Sequence, residues 1–310
     1  MKRSTSTILI CVALFLFFFV ARFPFQNLRG FIFTTIYKQT GVLVVSEDMY
    51  LTFFGWPGIG LRNVTVTLPA QMLGEELEIA AQKVTIRVGI GGLFPPNLSY
   101  SVYMGGMKKG GDLFLKLTHL TTKGQQLISV NSYFDADGVH LEQLGFGSGP
   151  SDTLSGVLTG DGSLSMDLTD LSKTNGSVRL NIEKLKSPGA NLQGIVIPPI
   201  HFGTLQAKLG AKNGSVELGQ LQWGGNDSDI QGSLTGDLRL GRDIYQSFLN
   251  LTALKLKMTD KFRDDPNSAT IVSTLDSVDN RTRGTYALKW TQGIDKIAQN
   301  FLYALPEKLN

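Results

Sequence analysis

The chain has one cysteine, three histidines and few charged residues, and each shortage argues against a class of protein. Cys11 lies inside an apolar run, so no disulfide or cysteine-based metal site can form within the chain. His119, His140 and His201 are far apart and lack carboxylate or cysteine companions at ligand spacing, so we expect no metal site. Charged residues make up only 18% of the chain. Their positions along the sequence say more about possible partners than their number does.

Signatures of common catalytic and nucleotide-binding sites are also missing. There is no Gly-x-Ser-x-Gly nucleophile elbow, and the absence of any Gly-Lys dipeptide excludes a Walker A loop. The glycines at 145, 147 and 149 are followed by Pro150 and not by a helical pattern, which argues against a dinucleotide fingerprint. We therefore predict a protein that is not an enzyme and has no catalytic, cofactor-binding or metal-binding residues.

One short acidic stretch resembles part of a calcium loop. It contains Asp135, Asp137, Gly138 and Glu142, but the third acidic position and the spacing do not fit. A hairpin turn between residues 130–134 and 139–144 is the simpler interpretation, because Asp-Gly supplies the positive φ angles of tight turns.

Basic residues are concentrated at the start of the chain. The first 38 positions contain no acidic residue and five basic ones, which are Lys2, Arg3, Arg22, Arg29 and Lys38. The formal net charge is +3, so the remainder is near neutral, with both signs interspersed. No basic stripe is present that would neutralise phosphates, and we expect no nucleic-acid partner.

Residues 8–21 form an unbroken apolar run of 14 residues behind Lys2 and Arg3. Residues 5–23 would give about 28 Å of helix, close to the ~30 Å hydrocarbon thickness of a bilayer. A cleaved signal peptide is the alternative, but cleavage after Ala21 would place the bulky Phe19 where a small residue is needed. We predict that residues 1–23 are a cytoplasmic tip and an uncleaved transmembrane anchor. The bulk of the chain would then lie outside the inner membrane of a bacterium, in the periplasm.

Residues 24–41 are predicted to form an amphipathic helix that ends near Gly41. Its apolar face would consist of Leu28, Phe31, Ile32, Thr35 and Ile36. Such a helix can pack against a sheet or lie on the membrane surface, and we favour packing against the sheet.

From residue 42 to residue 293 the spacing changes to alternation, which is typical of strands with one apolar and one polar face. The clearest runs are 63–68, 83–88, 112–117, 178–182 and 286–290. Asn-Gly, Asp-Gly and Gly-Gly pairs between and within them favour antiparallel hairpins. The predicted fold is mainly β: an N-terminal transmembrane helix, then a long, twisted antiparallel sheet, groove-like or sandwich-like, with short flanking helices.

Three local features interrupt this pattern. Pro198-Pro199 should end an edge strand or mark a loop, because proline cannot donate to a central ladder. Residues 145–150 are rich in glycine and form a candidate soft boundary within the β domain. Ile294, Ile297, Phe301 and Leu305 recur at helical spacing, which predicts a C-terminal amphipathic helix within residues 294–310.

Several segments resemble the longer form of the type II secretion system protein N family (GspN), which shares a general pattern with AsmA-like envelope proteins. The resemblance lies in an N-terminal anchor, the helix ending at Gly41, a turn at Trp56-Pro57 and several strand segments. These segments are residues 58–66, 83–93, 100–106, 249–251 and 284–288. The resemblance covers most of the chain, with no catalytic motif in it.

The resemblance implies a single-pass inner-membrane protein, periplasmic in bulk, that acts as a non-catalytic accessory of a type II protein secretion system. Its partners would be inner-membrane or secretin components of that system. The AsmA-like pattern implies an alternative, a β-groove that binds or transfers phospholipid. An envelope enzyme is the third and least favoured hypothesis. The alternating pattern is expected under all three hypotheses, so it cannot distinguish them. A lipid-binding groove, however, requires apolar faces that do not pack together into a buried core.

Overall fold

A computed structural model describes residues 25–52, 58–69, 76–93, 96–123, 126–145, 153–192, 195–279, 282–294 and 307–309. The predicted anchor at residues 1–23 lies outside these residues. The α-helices are α1 (Phe25–Thr40), α2 (Asp260–Arg263) and α3 (Ala269–Val278). The strands are β1 (Leu43–Thr52), β2 (Gly58–Leu68), β3 (Leu77–Leu93), β4 (Pro96–Met107), β5 (Asp112–Lys123), β6 (Gln126–His140), β7 (Ser155–Asp167), β8 (Asn175–Ser187), β9 (Ala190–Leu192), β10 (Ile195–Ile197), β11 (Ile200–Lys212), β12 (Ser215–Gly224), β13 (Ile230–Arg239), β14 (Phe248–Met258), β15 (Thr285–Gly293) and β16 (Glu307–Lys308).

Fourteen of these strands form one antiparallel sheet in which neighbours in sequence are neighbours in space. The exception is a small hairpin of β9 and β10, which stands outside the sheet so that β8 pairs directly with β11. The prediction of a mainly antiparallel β fold is confirmed. The described strands form one large open sheet and not two stacked sheets. β6 and β7 pair across the candidate boundary at 145–150, so the sheet continues there without a break.

Local sequence accounts for several of the strands and for some of the turns. All five alternating runs named above lie within strands, namely β2, β3, β5, β8 and β15. Asn213 and Gly214 have φ angles of +49° and +74°, and they form the tight turn between β11 and β12.

The predicted turn at Asp137-Gly138 is wrong. β6 runs through it, and the register with β7 shifts between Ala136 and Val139. Gly138 has a φ angle of +63°, so its conformational freedom serves a bulge instead of a turn.

Helix α1 packs against the sheet, but not through the whole predicted face. Ile32 and Phe33 contact the buried core, whereas Phe31 is 70% exposed. Arg29 Nη1 donates to the carbonyl oxygens of Ser46 and Glu47 in β1, at 2.9 Å and 2.7 Å. Among the residues that the structure describes, no helix is long and apolar enough to span a membrane.

Helices α2 and α3 were not predicted. Thr259 caps α2 by accepting a hydrogen bond from Phe262 N, and Pro266 begins the short 3₁₀ turn that leads into α3. The predicted C-terminal helix does not extend over Glu307–Lys308, which form β16 beside β15. Residues 295–306 lie outside the described residues.

Two buried clusters lie towards opposite ends of the sheet. One is built around Met49, Leu61, Val84 and Val139, against which α1 packs. The other joins Tyr286 and Leu288 of β15 to Phe262 of α2 and Val272 of α3. Helices therefore cover the two ends of the sheet.

Candidate apolar-ligand face

One face of the sheet carries a continuous row of apolar residues, one from each of thirteen adjacent strands. Residues directly opposite each other in an antiparallel pair project from the same face, so the strand register defines the row. We call this set the apolar row: Met49, Leu61, Val84, Met104, Leu113, Ala136, Gly160, Leu180, Ala207, Leu221, Leu234, Leu254 and Leu288. With strands ~4.8 Å apart, it is about 58 Å long. In β16 the residue opposite Leu288 is Lys308, so the apolar row ends at β15.

Apolar side chains also flank the row on both sides. One flank runs through Ile59, Ile86, Val102, Leu115 and Phe134. The other flank runs through Leu158, Ile182, Leu205, Trp223, Gly232, Leu256 and Tyr286. The apolar face is therefore a band and not a single line of side chains.

The band is buried at its ends, and its leucines are partly exposed between them. The small residues in the middle of the row are not open: Ala136 is 1% and Ala207 7% exposed, and Gly160 contributes no side chain. Met49 and Leu61 are 4% exposed at one end, and Leu288 is fully buried at the other. In the middle, Leu180, Leu221 and Leu234 are partly exposed, and they belong to neither buried cluster.

The most exposed part of this face lies on three neighbouring strands. Its members have side chains that are 36–43% exposed, and we call them the β3–β5 patch: Ile86, Val88, Tyr100, Leu115 and Leu117. The register places Val88 opposite Tyr100 and Tyr100 opposite Leu117, so these side chains are contiguous. Contiguous exposed apolar surface of this kind is rare on soluble monomers unless it binds something.

A strap after β6, residues 141–144, covers the sheet at the β4–β5 turn, across the apolar row from this patch. Gln143 is 7% exposed; its Oε1 accepts from Lys109 N at 2.8 Å and its Nε2 donates to Gly110 O at 3.1 Å. Leu141 is 4% exposed, and Leu144 packs against the first cluster. The strap therefore adds to the cover over the first buried cluster.

The opposite face is polar. Asn181, Gln206, Gln222 and Ser233 stand opposite one another in β8, β11, β12 and β13, and Gln222 Nε2 donates to Gln206 Oε1 at 3.0 Å. They contribute to the lining of a cleft of about 760 Å³. A single sheet therefore separates an apolar face from a hydrogen-bonding face, and only the polar face is suited to bulk water.

Charges on the polar face are paired locally. Arg179 Nη2 lies 3.0 Å from Asp161 Oδ2. Asp112 accepts from the Tyr103 hydroxyl and from Gly106 N, both at 2.8 Å. The hydrogen bond to Asp112, with burial adding to it, raises the pKa of Tyr103 above its usual value. These contacts stabilise the sheet and form no reactive arrangement.

The residues considered for metal binding are not brought together. His140 Nδ1 lies 3.9 Å from Glu142 Oε2, and His201 lies in β11 on the far side of the sheet. His119 is in β5. The side chain of Asp135 contacts Tyr133. Within the described part of the chain, no group of three His, Cys, Asp or Glu side chains could hold a metal ion.

Comparison of the chain with protein-family models, with curated proteins and with solved structures gave no match. The candidate site is therefore defined by geometry alone. Its residues were visible in the sequence as alternating leucines and valines, but only the strand register shows that they form one row.

Proposed function

We propose that the protein binds the acyl chains of phospholipids along the apolar row. The observation that carries this proposal is the continuity of the row, with apolar residues in thirteen successive strands and the exposed β3–β5 patch beside it. Neither a catalytic role nor a folding role requires such continuity through the middle of the sheet, where the leucines are partly exposed.

The energetics favour an elongated apolar ligand. Each methylene group moved from water onto an apolar surface contributes roughly 0.8 kcal/mol when fully buried. A row of about 58 Å exceeds the ~30 Å thickness of a bilayer core, so one chain or several in succession would fit along it. The backbone N–H and C=O groups of the sheet pair with one another. An acyl chain can therefore lie against the sheet without supplying hydrogen-bond partners.

Lipid analysis of the purified protein tests this proposal. The full chain is extracted from membranes with a mild detergent, and co-purified phospholipid is measured by mass spectrometry. Leu221→Asp places a charge in the row and should reduce bound lipid several-fold. Gln222→Asp, on the adjacent residue of the opposite face, should not reduce it. Absence of lipid from the wild type, or equal loss in both variants, would contradict the proposal.

A second candidate function is that of a non-catalytic, membrane-anchored accessory of a type II protein secretion system. The observation in its favour is that the segments resembling the protein N family contribute the row at both ends. They contain Leu61, Val84 and Met104 near the start of the sheet and Leu288 near its end. In this proposal the chain is anchored by residues 1–23 in the inner membrane, with its sheet in the periplasm.

The secretion role is tested in cells. Deletion of the gene should lower export of type II substrates, and the wild-type gene should restore export. Chemical cross-linking of the restored protein should recover inner-membrane or secretin components. Unchanged export after deletion would contradict this role and leave the lipid proposal standing. If Leu221→Asp restores export as well as Gln222→Asp does, then lipid binding is not needed for secretion.

A further inference from the structure

Helix α1 carries exposed apolar side chains that the sheet does not cover. Ile32 and Phe33 point into the buried cluster, which leaves other side chains of the helix outward. Phe31 is 70% exposed and Tyr37 is 55% exposed, with Leu28 at 36% on the flank. An aromatic side chain this exposed contributes little to the stability of the fold.

Exposed apolar side chains are concentrated near this helix. Of the fifteen large hydrophobic side chains that are most exposed among the described residues, five lie within residues 28–45. Besides the three in α1, these are Leu43 and Val45 at the start of β1, at 48% and 54%. Leu43 and Val45 alternate with Val44, which packs against the first cluster, so they project from the face of the sheet turned away from α1. Exposed apolar side chains therefore lie on both sides of the β1 end of the sheet.

The sequence places the predicted membrane anchor close to these exposed side chains. The apolar run ends at Ala21 and α1 begins at Phe25, so four residue steps of at most about 3.5 Å separate them, roughly 14 Å in all. If the run is a membrane anchor, α1 starts at the membrane surface. Lys38 is exposed on α1, and no acidic residue precedes Glu47, so the local charge complements anionic headgroups.

We propose that α1 lies along the surface of the phospholipid bilayer, with Phe31 and Tyr37 in the interface between headgroups and acyl chains. This inference rests on the membrane anchoring that is part of the proposed function. Aromatic residues are enriched at this depth, and a neighbouring lysine is attracted to anionic headgroups. Because Ile32 and Phe33 hold α1 against the sheet, this contact would place the β1 end of the apolar row at the membrane.

Spin-label accessibility tests the proposal with a matched pair of sites. Cys11→Ser removes the single native cysteine, and Phe31→Cys or Tyr245→Cys then provides one labelling position. Tyr245 is 65% exposed, close to the value for Phe31, but it lies beside β14 far from α1. The full chain is reconstituted into vesicles of phosphatidylethanolamine and phosphatidylglycerol. Relaxation by oxygen, which enters the bilayer, is compared with relaxation by a water-soluble nickel chelate.

The expected result is an oxygen-to-nickel accessibility ratio several-fold higher at position 31 than at position 245. Equal ratios in protein that has inserted into vesicles would overturn the inference and leave anchoring intact. Failure of the chain to float with vesicles would overturn both. If Phe31→Cys does not fold, Tyr37→Cys gives the same comparison with the same two outcomes.

Discussion

The hydroxyl of Tyr286 in β15 donates a 2.7 Å hydrogen bond to Oδ1 of Asp276 in α3. Tyr286 is fully buried, and Arg263 Nη2 lies 3.2 Å from the other oxygen of the same carboxylate. This contact fixes the helix that covers the β15 end of the apolar row. Burial, together with the hydrogen bond to Asp276, raises the pKa of Tyr286 to about 12.

Stability should therefore depend on Tyr286 at high pH. The folded pKa lies above the value of about 10 for a free tyrosine, so the folded state holds this proton more tightly. The associated stability, about 3 kcal/mol for two pKa units, is complete below pH ~10 and is lost as pH rises towards 12. Urea unfolding between pH 9 and pH 12 measures it. Tyr286→Phe should flatten the decline, and an equal decline in both proteins would refute this assignment.

Leucines of the apolar face should differ in their contribution to stability according to position. Leu288 is fully buried, so Leu288→Ala should lower the free energy of unfolding by roughly 2–5 kcal/mol. Leu115 in the β3–β5 patch is 41% exposed, and Leu115→Ala should cost less than about 1 kcal/mol without ligand. Equilibrium urea unfolding of the two variants gives both values. Similar losses would show that the patch is covered in solution.

Alternation in the sequence was sufficient to predict five of the strands, because a half-buried strand must repeat every two residues. The glycine-containing pairs between and within them predicted the antiparallel class. It could not predict the order or length of the row. The pairing of Leu180 with Ala207 depends on the β9–β10 hairpin leaving the sheet. Pro198-Pro199 marked an interruption there, and these residues lie between β10 and β11, but they did not indicate that a whole hairpin stands outside the sheet.

Glycine was the least reliable guide. Gly214 marks a turn, but Gly138 marks a bulge and Gly160 lies in the middle of β7. Gly214 and Gly138 both use a positive φ angle, whereas Gly160 is needed because it has no Cβ beside the neighbouring strand. Only the partner strands distinguish these purposes. Helix α3 was missed because its apolar positions, Ile271, Val272 and Leu275, were too few to stand out from the surrounding β pattern.

Gly160 should be intolerant of a side chain. An added Cβ would overlap the carbonyl oxygen of Arg179 in β8, a backbone atom that cannot move without disturbing the sheet. Gly160→Ala should therefore cost roughly 1–3 kcal/mol. Gly210, also in a strand, has no atom within 4 Å of the point that a Cβ would occupy. Gly210→Ala should be neutral or stabilise by up to about 1 kcal/mol, and thermal unfolding of both variants distinguishes them.

Site-specific photocrosslinking tests the central claim most directly. Benzoylphenylalanine is introduced at Leu221 in the apolar row or at Gln222, its neighbour on the polar face, and cells are irradiated before purification. The account predicts a phospholipid adduct, detected by mass spectrometry of the intact protein, at position 221 and none at position 222. Adducts at both positions, or at neither, would show that the apolar row does not bind lipid.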